Sequence, residues 1–377
     1  MRPAADAPAP DPPVAPPPVA AIEPAPVVRS RSRYAGDGPF YAALDLGTNN
    51  CRLLIATPRE RGFRVVDAFS RIVRLGEGTG VSGRLGEAAM ARAIDALKVC
   101  AAKLVERNVT GARLIATEAC RTAANGAAFL ARVREETGLA LEIVSHETEA
   151  RLAVAGCASL VDPMSSGVIL FDIGGGSSEL VWIDLTLFAD GRRRRLTDHL
   201  RTWMSLPVGV VNISERHGGG AVTAEGFAAM VTEVDALLAG FPEAAALDRA
   251  VAEGGMHMLG TSGTITTLAG VHLKLPRYDR RRVDGTWLTG REVGDLVAAL
   301  VAMDHAERVA NPCIGRERAD LVLAGCAILE AIRLRWPCER LRVADRGLRE
   351  GMLVELMAAD GAWRGRSGRR SGDRHNA

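Results

Sequence analysis

The sequence has no pair of cysteines in the C-x-x-C spacing, and its 7 cysteines form an odd total. This pattern argues against the disulfide framework of secreted domains and favours a reducing compartment, so we expect a cytoplasmic protein. The cysteines stand at positions 51, 100, 120, 157, 313, 326 and 338.

Long apolar runs are also absent. No run reaches the roughly 18 to 20 residues that span a bilayer, and the start of the chain has no apolar block of the kind that forms a secretory signal. We therefore expect no membrane partner.

An excess of charge of one sign is missing as well. The chain of 377 residues carries 47 basic and 45 acidic side chains, for a formal net charge of +2. Nothing global therefore draws it to nucleic acid, and any preference for anions must be local. With 47% hydrophobic residues, most of the chain should fold, and its length predicts two domains.

The two ends differ in composition from the body. Residues 1–40 are dominated by Pro and Ala, and residues 360–377 are polar and rich in Arg. Such segments have few residues that could form a core, so both are predicted to be disordered. The body between them is predicted to divide into domains at 41–165 and 166–359.

Strands and helices alternate along the first part of the body, as the hydrophobic pattern indicates. This order predicts an α/β domain with a partly parallel sheet. The predicted strands are 41–45, 53–56, 114–117 and 141–144, and the predicted helices are 87–106, 127–136 and 147–158.

A strand–turn–strand unit occurs twice. An apolar strand ends in Asp45 and passes through the polar turn 47–50, and a second apolar strand ends in Asp172 and passes through the glycine-rich turn 174–178. Two such units suggest a duplicated domain whose halves face each other across a cleft, which is the natural place for a ligand.

Both turns suit phosphate, because glycine lets backbone N–H groups approach an anion and Ser or Thr hydroxyls add donors. Each turn also follows a carboxylate that could hold a hard cation. A third turn, 260–264, precedes a predicted helix at 265–273 and could present helix N-terminal amides to an anion. Glycine also serves ordinary tight turns, and the third turn could equally be a helix cap without a ligand.

Glu149 and Arg121 could belong to a site or could have only an ordinary structural role. Glu149 begins a helix, where acidic residues commonly complement the helix dipole. Arg121 follows a strand end, where its guanidinium could bind phosphate in bidentate fashion or form a surface ion pair. The arginine runs 192–195 and 280–282 are interpreted as solvated loops.

Several motifs, in order along the body, resemble the exopolyphosphatase and guanosine pentaphosphate phosphohydrolase family, within the sugar kinase, heat-shock protein and actin superfamily. The resemblance implies two duplicated ribonuclease H-like (actin-like ATPase) domains with a cleft between them, in the short two-domain form of the family. The motifs occupy residues 43–54, 116–121, 149–152, 171–180, 206–209, 260–264, 318–320 and 345–351.

The resemblance also implies roles for individual residues. Glu149, Asp172 and Arg121 are the expected catalytic residues, with Glu149 activating water; Asp45, Asp172 and Glu179 are the expected ligands of Mg²⁺, with Mn²⁺ as the alternative. With a pKa near the ordinary value of about 4.3, Glu149 would be ionised at neutral pH. The expected phosphate-binding residues are Gly47, Thr48, Asn49, Asn50, Cys51, Arg52, Gly174, Gly175, Gly176, Ser177, Ser178, Gly263 and Thr264.

The leading functional hypothesis is an exopolyphosphatase that releases terminal orthophosphate from inorganic polyphosphate. A guanosine pentaphosphate 5′-phosphohydrolase would use the same groups with an added nucleoside contact. A kinase or ATPase on the superfamily fold, and a non-catalytic sensor of phosphate compounds, are the alternatives from other classes. Relatives often form dimers, so a homodimer is a further expectation.

Overall fold

The structure, a computed structural model, describes residues 38–60, 62–187, 195–219 and 222–363. The predicted disordered ends lie outside these residues at 1–37 and 364–377, and so do 192–194 of the first arginine run. Residues 38–40 belong to the described part, where the Phe40 carbonyl accepts hydrogen bonds from the amide and the hydroxyl of Thr110.

The first half of the chain forms a sheet with the strand order β3-β2-β1-β4-β5. Strands β1, β2 and β3 are antiparallel neighbours, whereas β4 and β5 run parallel to β1. The elements are β1 Tyr41–Leu46, β2 Asn50–Pro58, β3 Phe63–Ile72, α1 Thr79–Ser82, α2 Glu87–Glu106, β4 Gly111–Ala116, α3 Glu118–Thr122, α4 Gly126–Thr137, β5 Glu142–Ile143 and α5 His146–Cys157.

The second half forms a sheet with the order β10-β11-β9-β6-β7-β8. Its strands are β6 Gly167–Ile173, β7 Ser178–Asp184, β8 Leu200–Leu206, β9 Met256–Thr261, β10 Trp287–Thr289 and β11 Arg340–Ala344. Its helices are α6 Val210–Arg216, α7 Ala224–Leu238, α8 Ala244–Glu253, α9 Ser262–His272, α10 Arg280–Val283, α11 Gly290–Ala302, α12 His305–Ala310, α13 Val322–Arg335 and α14 Leu348–Ala359. Single 3₁₀ turns occupy Ala158–Leu160 and Leu196–His199.

The two sheets repeat one topology. Each starts with three antiparallel strands and continues with two strands parallel to the first of the three, and the second sheet adds β10, which runs antiparallel to β11, at its edge. This repeat confirms the predicted fold class of two duplicated α/β domains. The helix predicted at 87–106 is observed as α2. Its apolar residues recur at helical spacing, so they share one face of the helix, and this face packs on the first sheet.

Helix α5 follows the first sheet in sequence but packs on the second sheet, and α14 follows the second sheet but packs on the first. Ala150, Ala153 and Val154 of α5 belong to a core cluster with strands of the second sheet. Met352 and Leu353 of α14 belong to a cluster with strands of the first sheet. The strands of the first sheet end at Ile143 and those of the second begin at Gly167, whereas α14 packs on the first sheet. The domain limits 41–165 and 166–359 stay a prediction.

Helices α5 and α14 also contact each other through glycine. A Cβ atom added to Gly156 would lie 1.9 Å from the carbonyl oxygen of Gly347, and one added to Gly351 would lie 2.0 Å from the carbonyl oxygen of Leu152. The two backbones are therefore closer than a side chain at either glycine would allow. No helix of the described ranges is long and apolar enough to cross a membrane.

We expect Gly156→Ala to lower the free energy of unfolding by about 3 kcal/mol, because the added methyl group meets backbone that cannot move aside alone. Gly294→Ala, in the middle of α11, is the matched control. Its Cβ would lie 3.6 Å from the Arg333 side chain, so the better helix propensity should raise stability by about 0.5–1 kcal/mol. Urea unfolding followed by circular dichroism measures both changes, and equal stability of Gly156→Ala and wild type would contradict the close crossing.

Candidate active site

A cavity of about 350 Å³ lies between the two sheets, and residues of both halves line it. The strands β1, β4, β6 and β9 end at this cavity, together with the first turn of α14. All three glycine-containing turns predicted from the sequence contribute to its wall.

The first turn, between β1 and β2, is closed by a hydrogen bond of 2.9 Å from the Gly47 amide to the Asn50 carbonyl. Arg52 lies directly across the hairpin from Asp45. Of the predicted phosphate-binding residues in this segment, Gly47, Thr48, Asn49, Asn50 and Arg52 line the cavity.

Cys51 does not face the cavity. Its Sγ atom lies in the core, 4.0 Å from Sγ of Cys100, because neighbouring side chains of a strand point to opposite faces. Ser178 departs from the prediction in the same way, since its hydroxyl donates to the Val208 carbonyl at 2.7 Å. The side chains of Cys51 and Ser178 therefore do not reach the cavity, and a phosphate contact through their backbone stays a prediction.

The second turn, between β6 and β7, lies against the first. It is closed by a hydrogen bond of 3.0 Å from the Gly174 amide to the Ser177 carbonyl. A Cβ atom at Gly175 would lie 2.9 Å from Cβ of Thr48, and one at Gly176 would lie 2.8 Å from the Thr48 hydroxyl. The absence of side chains at these glycines therefore lets the two turns meet across the cleft.

The third turn is shorter than predicted, because β9 continues through Gly260 to Thr261 and α9 begins at Ser262. Ser262 has a positive φ of 83°, and its hydroxyl donates to the Ile173 carbonyl at the end of β6. Gly263 and Thr264, in the first turn of α9, line the cavity.

Glu149 lies in the first turn of α5 and is 8% exposed. Arg121 donates from Nη1 to Oε1 of Glu149 and to the Val144 carbonyl, at 2.5 Å in both cases, and from Nη2 to Oε2 of Glu118 at 2.5 Å. Glu149 and Glu118 line the cavity, whereas Arg121 stands behind them. Arg121 thus forms an ion pair that holds Glu149, and its expected contact with phosphate stays a prediction.

Glu179 lies opposite Asp172 on the second hairpin. Its Oε1 atom accepts hydrogen bonds from the hydroxyls of Ser177, at 2.9 Å, and Ser205, at 3.0 Å. His146 approaches the same oxygen at 3.5 Å. Two serines and a histidine thus fix this carboxylate at the cavity wall.

The carboxyl groups of the cavity repel one another. Burial raises the pKa of Asp45, against the opposing charges of Arg52 and Arg349. Burial and then the charge of Glu179 raise the pKa of Asp172 to about 7. Burial and then the charge of Glu179 also raise the pKa of Glu149 to about 9, although the charge of Arg121 lowers it. The expectation of an ordinary pKa for Glu149 is thus wrong for the protein without a ligand.

The carboxylates fit a hard divalent cation. Asp45 Oδ1 is buried and has no hydrogen-bond partner, and oxygen atoms are the ligands that Mg²⁺ prefers. Throughout the described ranges, no three His, Cys, Asp or Glu side chains are arranged to hold an ion by themselves. Asp45 and Asp172 could therefore supply part of a coordination shell that substrate oxygens and water complete, as is usual for Mg²⁺.

Sequence reasoning missed the basic residues that the second half brings to the site. Arg349 and Arg318 line the cavity, but both stood in family motifs without a role. Arg280 was interpreted as part of a solvated loop, which is wrong. It lies in α10 and donates to Oε1 of Glu350 at 2.7 Å, a contact between residues too far apart in sequence for a local pattern to reveal.

The chain is similar to characterised proteins that include the following two. Exopolyphosphatase 2 of Mycobacterium tuberculosis is 29% identical over 280 residues, which cover 71% of this chain and 82% of that protein. The guanosine-5′-triphosphate,3′-diphosphate pyrophosphatase of Aeromonas salmonicida is 28% identical over 322 residues, which cover 85% of this chain and 60% of that protein.

Among solved structures, the crystal structure of the Aquifex aeolicus member of the Ppx/GppA protein family superposes with a TM-score of 0.67 at 28% identity, covering 85% of this chain and 98% of that chain. The model of the Ppx/GppA phosphatase family matches residues 54–360. The duplicated fold, the cavity at its strand ends and these matches agree, and the chain belongs to the Ppx/GppA phosphatase family.

Proposed function

We propose that the protein is an exopolyphosphatase, which hydrolyses the terminal phosphoanhydride bond of inorganic polyphosphate. The observation that carries the proposal is the placement of Glu149, a buried carboxylate held by Arg121 at the wall of a cavity between two glycine-containing turns. The relative from M. tuberculosis with the name exopolyphosphatase supports the choice of substrate.

The two turns would bind the phosphate chain. Thr48, Asn49 and Ser177 line the cavity, and the backbone amides and polar side chains of such turns can donate to phosphate oxygens without a cost of reorganisation. Because Thr48 touches Gly175 and Gly176, a phosphate group between the turns would be contacted from both halves. Positioning of this kind is the main requirement of phosphoryl transfer.

Glu149 would act as the general base. A water molecule attacks the terminal phosphorus, its proton passes to a carboxylate oxygen of Glu149, and the bond from phosphorus to the bridging oxygen breaks. The electron pair stays on that oxygen, and the products are orthophosphate and a chain shorter by one phosphate. Arg121 orients the carboxylate and favours its ionised form.

Asp45 and Asp172 would hold Mg²⁺, and Mn²⁺ accepts the same oxygen ligands. Glu179 was expected to be a third ligand. Both serine hydroxyls donate to its Oε1 atom, so the Oε2 atom could bind the cation. The bound cation would neutralise charge on phosphate oxygens and lower the pKa of the nearby carboxyl groups.

A guanosine pentaphosphate is the second candidate substrate, as the name of the A. salmonicida relative suggests. One observation favours it: Tyr278 lines the cavity and is 37% exposed, so its ring could stack on a nucleobase. Membership of a phosphatase family and the presence of Glu149 favour hydrolysis over the kinase and sensor alternatives. A cytoplasmic location remains a proposal, based on the 7 free cysteines, and the homodimer stays a prediction.

We expect Glu149→Gln to lower kcat for phosphate release from polyphosphate by about 10²–10⁴-fold, because the amide cannot accept the proton. Phosphate-chain binding, measured by calorimetry, should change little. Glu147→Gln is the matched control, since Glu147 lies on the same helix but is exposed and paired with Arg151. Near wild-type hydrolysis by Glu149→Gln would show that another group is the base.

The ion pair between Arg121 and Glu149 predicts a change in the pH profile. Removing the positive charge in Arg121→Met should raise the pKa of Glu149, so that a smaller fraction is ionised at neutral pH. Each increase of one pKa unit lowers activity at pH 7 by about tenfold. It also moves the ascending limb of the plot of kcat against pH to a pH one unit higher. An increase in KM with an unchanged pH profile would instead indicate that Arg121 contacts phosphate.

The two substrates can be separated at Tyr278. If a nucleobase stacks on its ring, Tyr278→Leu should lower kcat/KM for guanosine pentaphosphate by about 10-fold, as for other base–aromatic contacts, and leave kcat/KM for tripolyphosphate nearly unchanged. Tyr278→Phe, which keeps the ring but loses the hydrogen bond from the hydroxyl to Asp345, controls for that bond. Equal losses with both substrates would assign Tyr278 a structural role only.

A further inference from the structure

Two arginine side chains of the cavity wall have no hydrogen bond or ion pair with any described residue. They are Arg52, on β2, and Arg349, in the first turn of α14. The other arginines of this wall are engaged: Arg346 pairs with Asp284, and Arg318 donates to the Thr267 hydroxyl at 3.0 Å. Arg52 and Arg349 therefore bring uncommitted donors to the cavity.

Both guanidinium groups lie near the two aspartates that end the central strands. Arg52 is the cross-strand neighbour of Asp45. The charges of Arg52 and Arg349 both act on the pKa of Asp45 and on that of Asp172. These aspartates precede the first and second turns, and Arg52 and Arg349 line the same cavity as both turns.

The acidic residues beside Arg349 are already occupied. Oε1 of Glu350 accepts from Arg280 at 2.7 Å, and Oε2 accepts from the Gly347 amide at 2.9 Å. Oδ2 of Asp345 accepts from the Tyr278 hydroxyl at 2.5 Å. Arg349 thus remains without a partner although carboxylates are close to it.

A guanidinium group at a cavity wall without a protein partner can bind an anionic ligand. Burial lowers the pKa of Arg349, which means that the surroundings disfavour its charge. Both arginine side chains are only partly exposed, and a partly desolvated charged donor gains little from water to offset a missing partner. An anion with several oxygens, entering between the turns, would satisfy them in bidentate fashion.

We propose that Arg349, together with Arg52, binds the oxygens of the terminal phosphoryl group, so that the last helix of the fold completes the phosphate site. The inference rests on the proposed function for the identity of the phosphoryl group. Arg52 was already an expected phosphate-binding residue, and Arg349 is the new assignment. As charge spreads over the phosphoryl oxygens in the transition state, the two guanidinium groups stabilise it.

Arg349→Gln tests the assignment. We expect kcat/KM for tripolyphosphate to fall by about 100-fold or more, as for the loss of other donors to a transition state. Arg349→Lys should remain impaired, because a single ammonium group cannot replace the planar fork. Arg281→Gln, which removes an equal charge from an exposed position of α10, should keep wild-type activity. The thermal midpoint of Arg349→Gln should not fall, because Arg349 bonds no described residue.

Binding without turnover separates this proposal from the proposed function. In a Glu149→Gln background, calorimetry should show that Arg349→Gln weakens tripolyphosphate binding at least tenfold, and that Arg52→Gln does the same. Unchanged binding and unchanged kcat/KM in Arg349→Gln would overturn the phosphate contact while leaving the hydrolase intact. Binding that depends on Arg349, in a protein that hydrolyses neither polyphosphate nor guanosine pentaphosphate, would support the contact and reject the proposed function.

Discussion

The crossing of α5 and α14 is the contact on which the geometry of the site depends. Gly156 and Gly351 let the two backbones touch, and each helix packs on the sheet that the other half of the chain forms. The first turn of each helix therefore reaches the cavity between the sheets. Helix α5 brings the carboxyl group of Glu149 to the cavity and α14 brings the guanidinium group of Arg349, so both groups come from helices that contact each other closely.

Duplication of the domain provides two similar hairpins, but their chemistry has diverged. The residue across from Asp45 is Arg52, whereas the residue across from Asp172 is Glu179. The helices differ in the same way, since Glu149 lies four positions after the N-cap of α5 and Gly351 lies four positions after the N-cap of α14. At that position α14 contacts the Leu152 carbonyl and has no room for a side chain. At this position of the two helices, only α5 brings a carboxyl group to the cleft.

The hairpins, the helix 87–106 and the duplicated fold could be predicted because hydrophobic period and turn residues are local signals. The same alternation should have excluded Cys51, whose neighbours on β2 face the cavity. The ion pair between Arg121 and Glu149 and the contact between Arg280 and Glu350 could not be predicted, because each joins segments that only the tertiary fold brings together. The position of Arg349 depends on the crossing of α14 over the first sheet, which composition and spacing do not encode.

The balance of charge inside the cavity links protons, cation and substrate. Without a ligand, burial and mutual repulsion raise the pKa of Glu149 and of Asp172, so both groups favour their protonated forms more than exposed carboxyl groups do. Any ligand that stabilises their ionised forms must bind more tightly as pH rises, because binding then displaces fewer protons. A polyanion alone would oppose this ionisation, whereas a divalent cation bound with it would favour it. The carboxyl groups offer oxygen ligands of the kind a divalent cation prefers, and the two arginines offer donors of the kind phosphate prefers, so the proposed cation and phosphate would bind to different residues of one cavity.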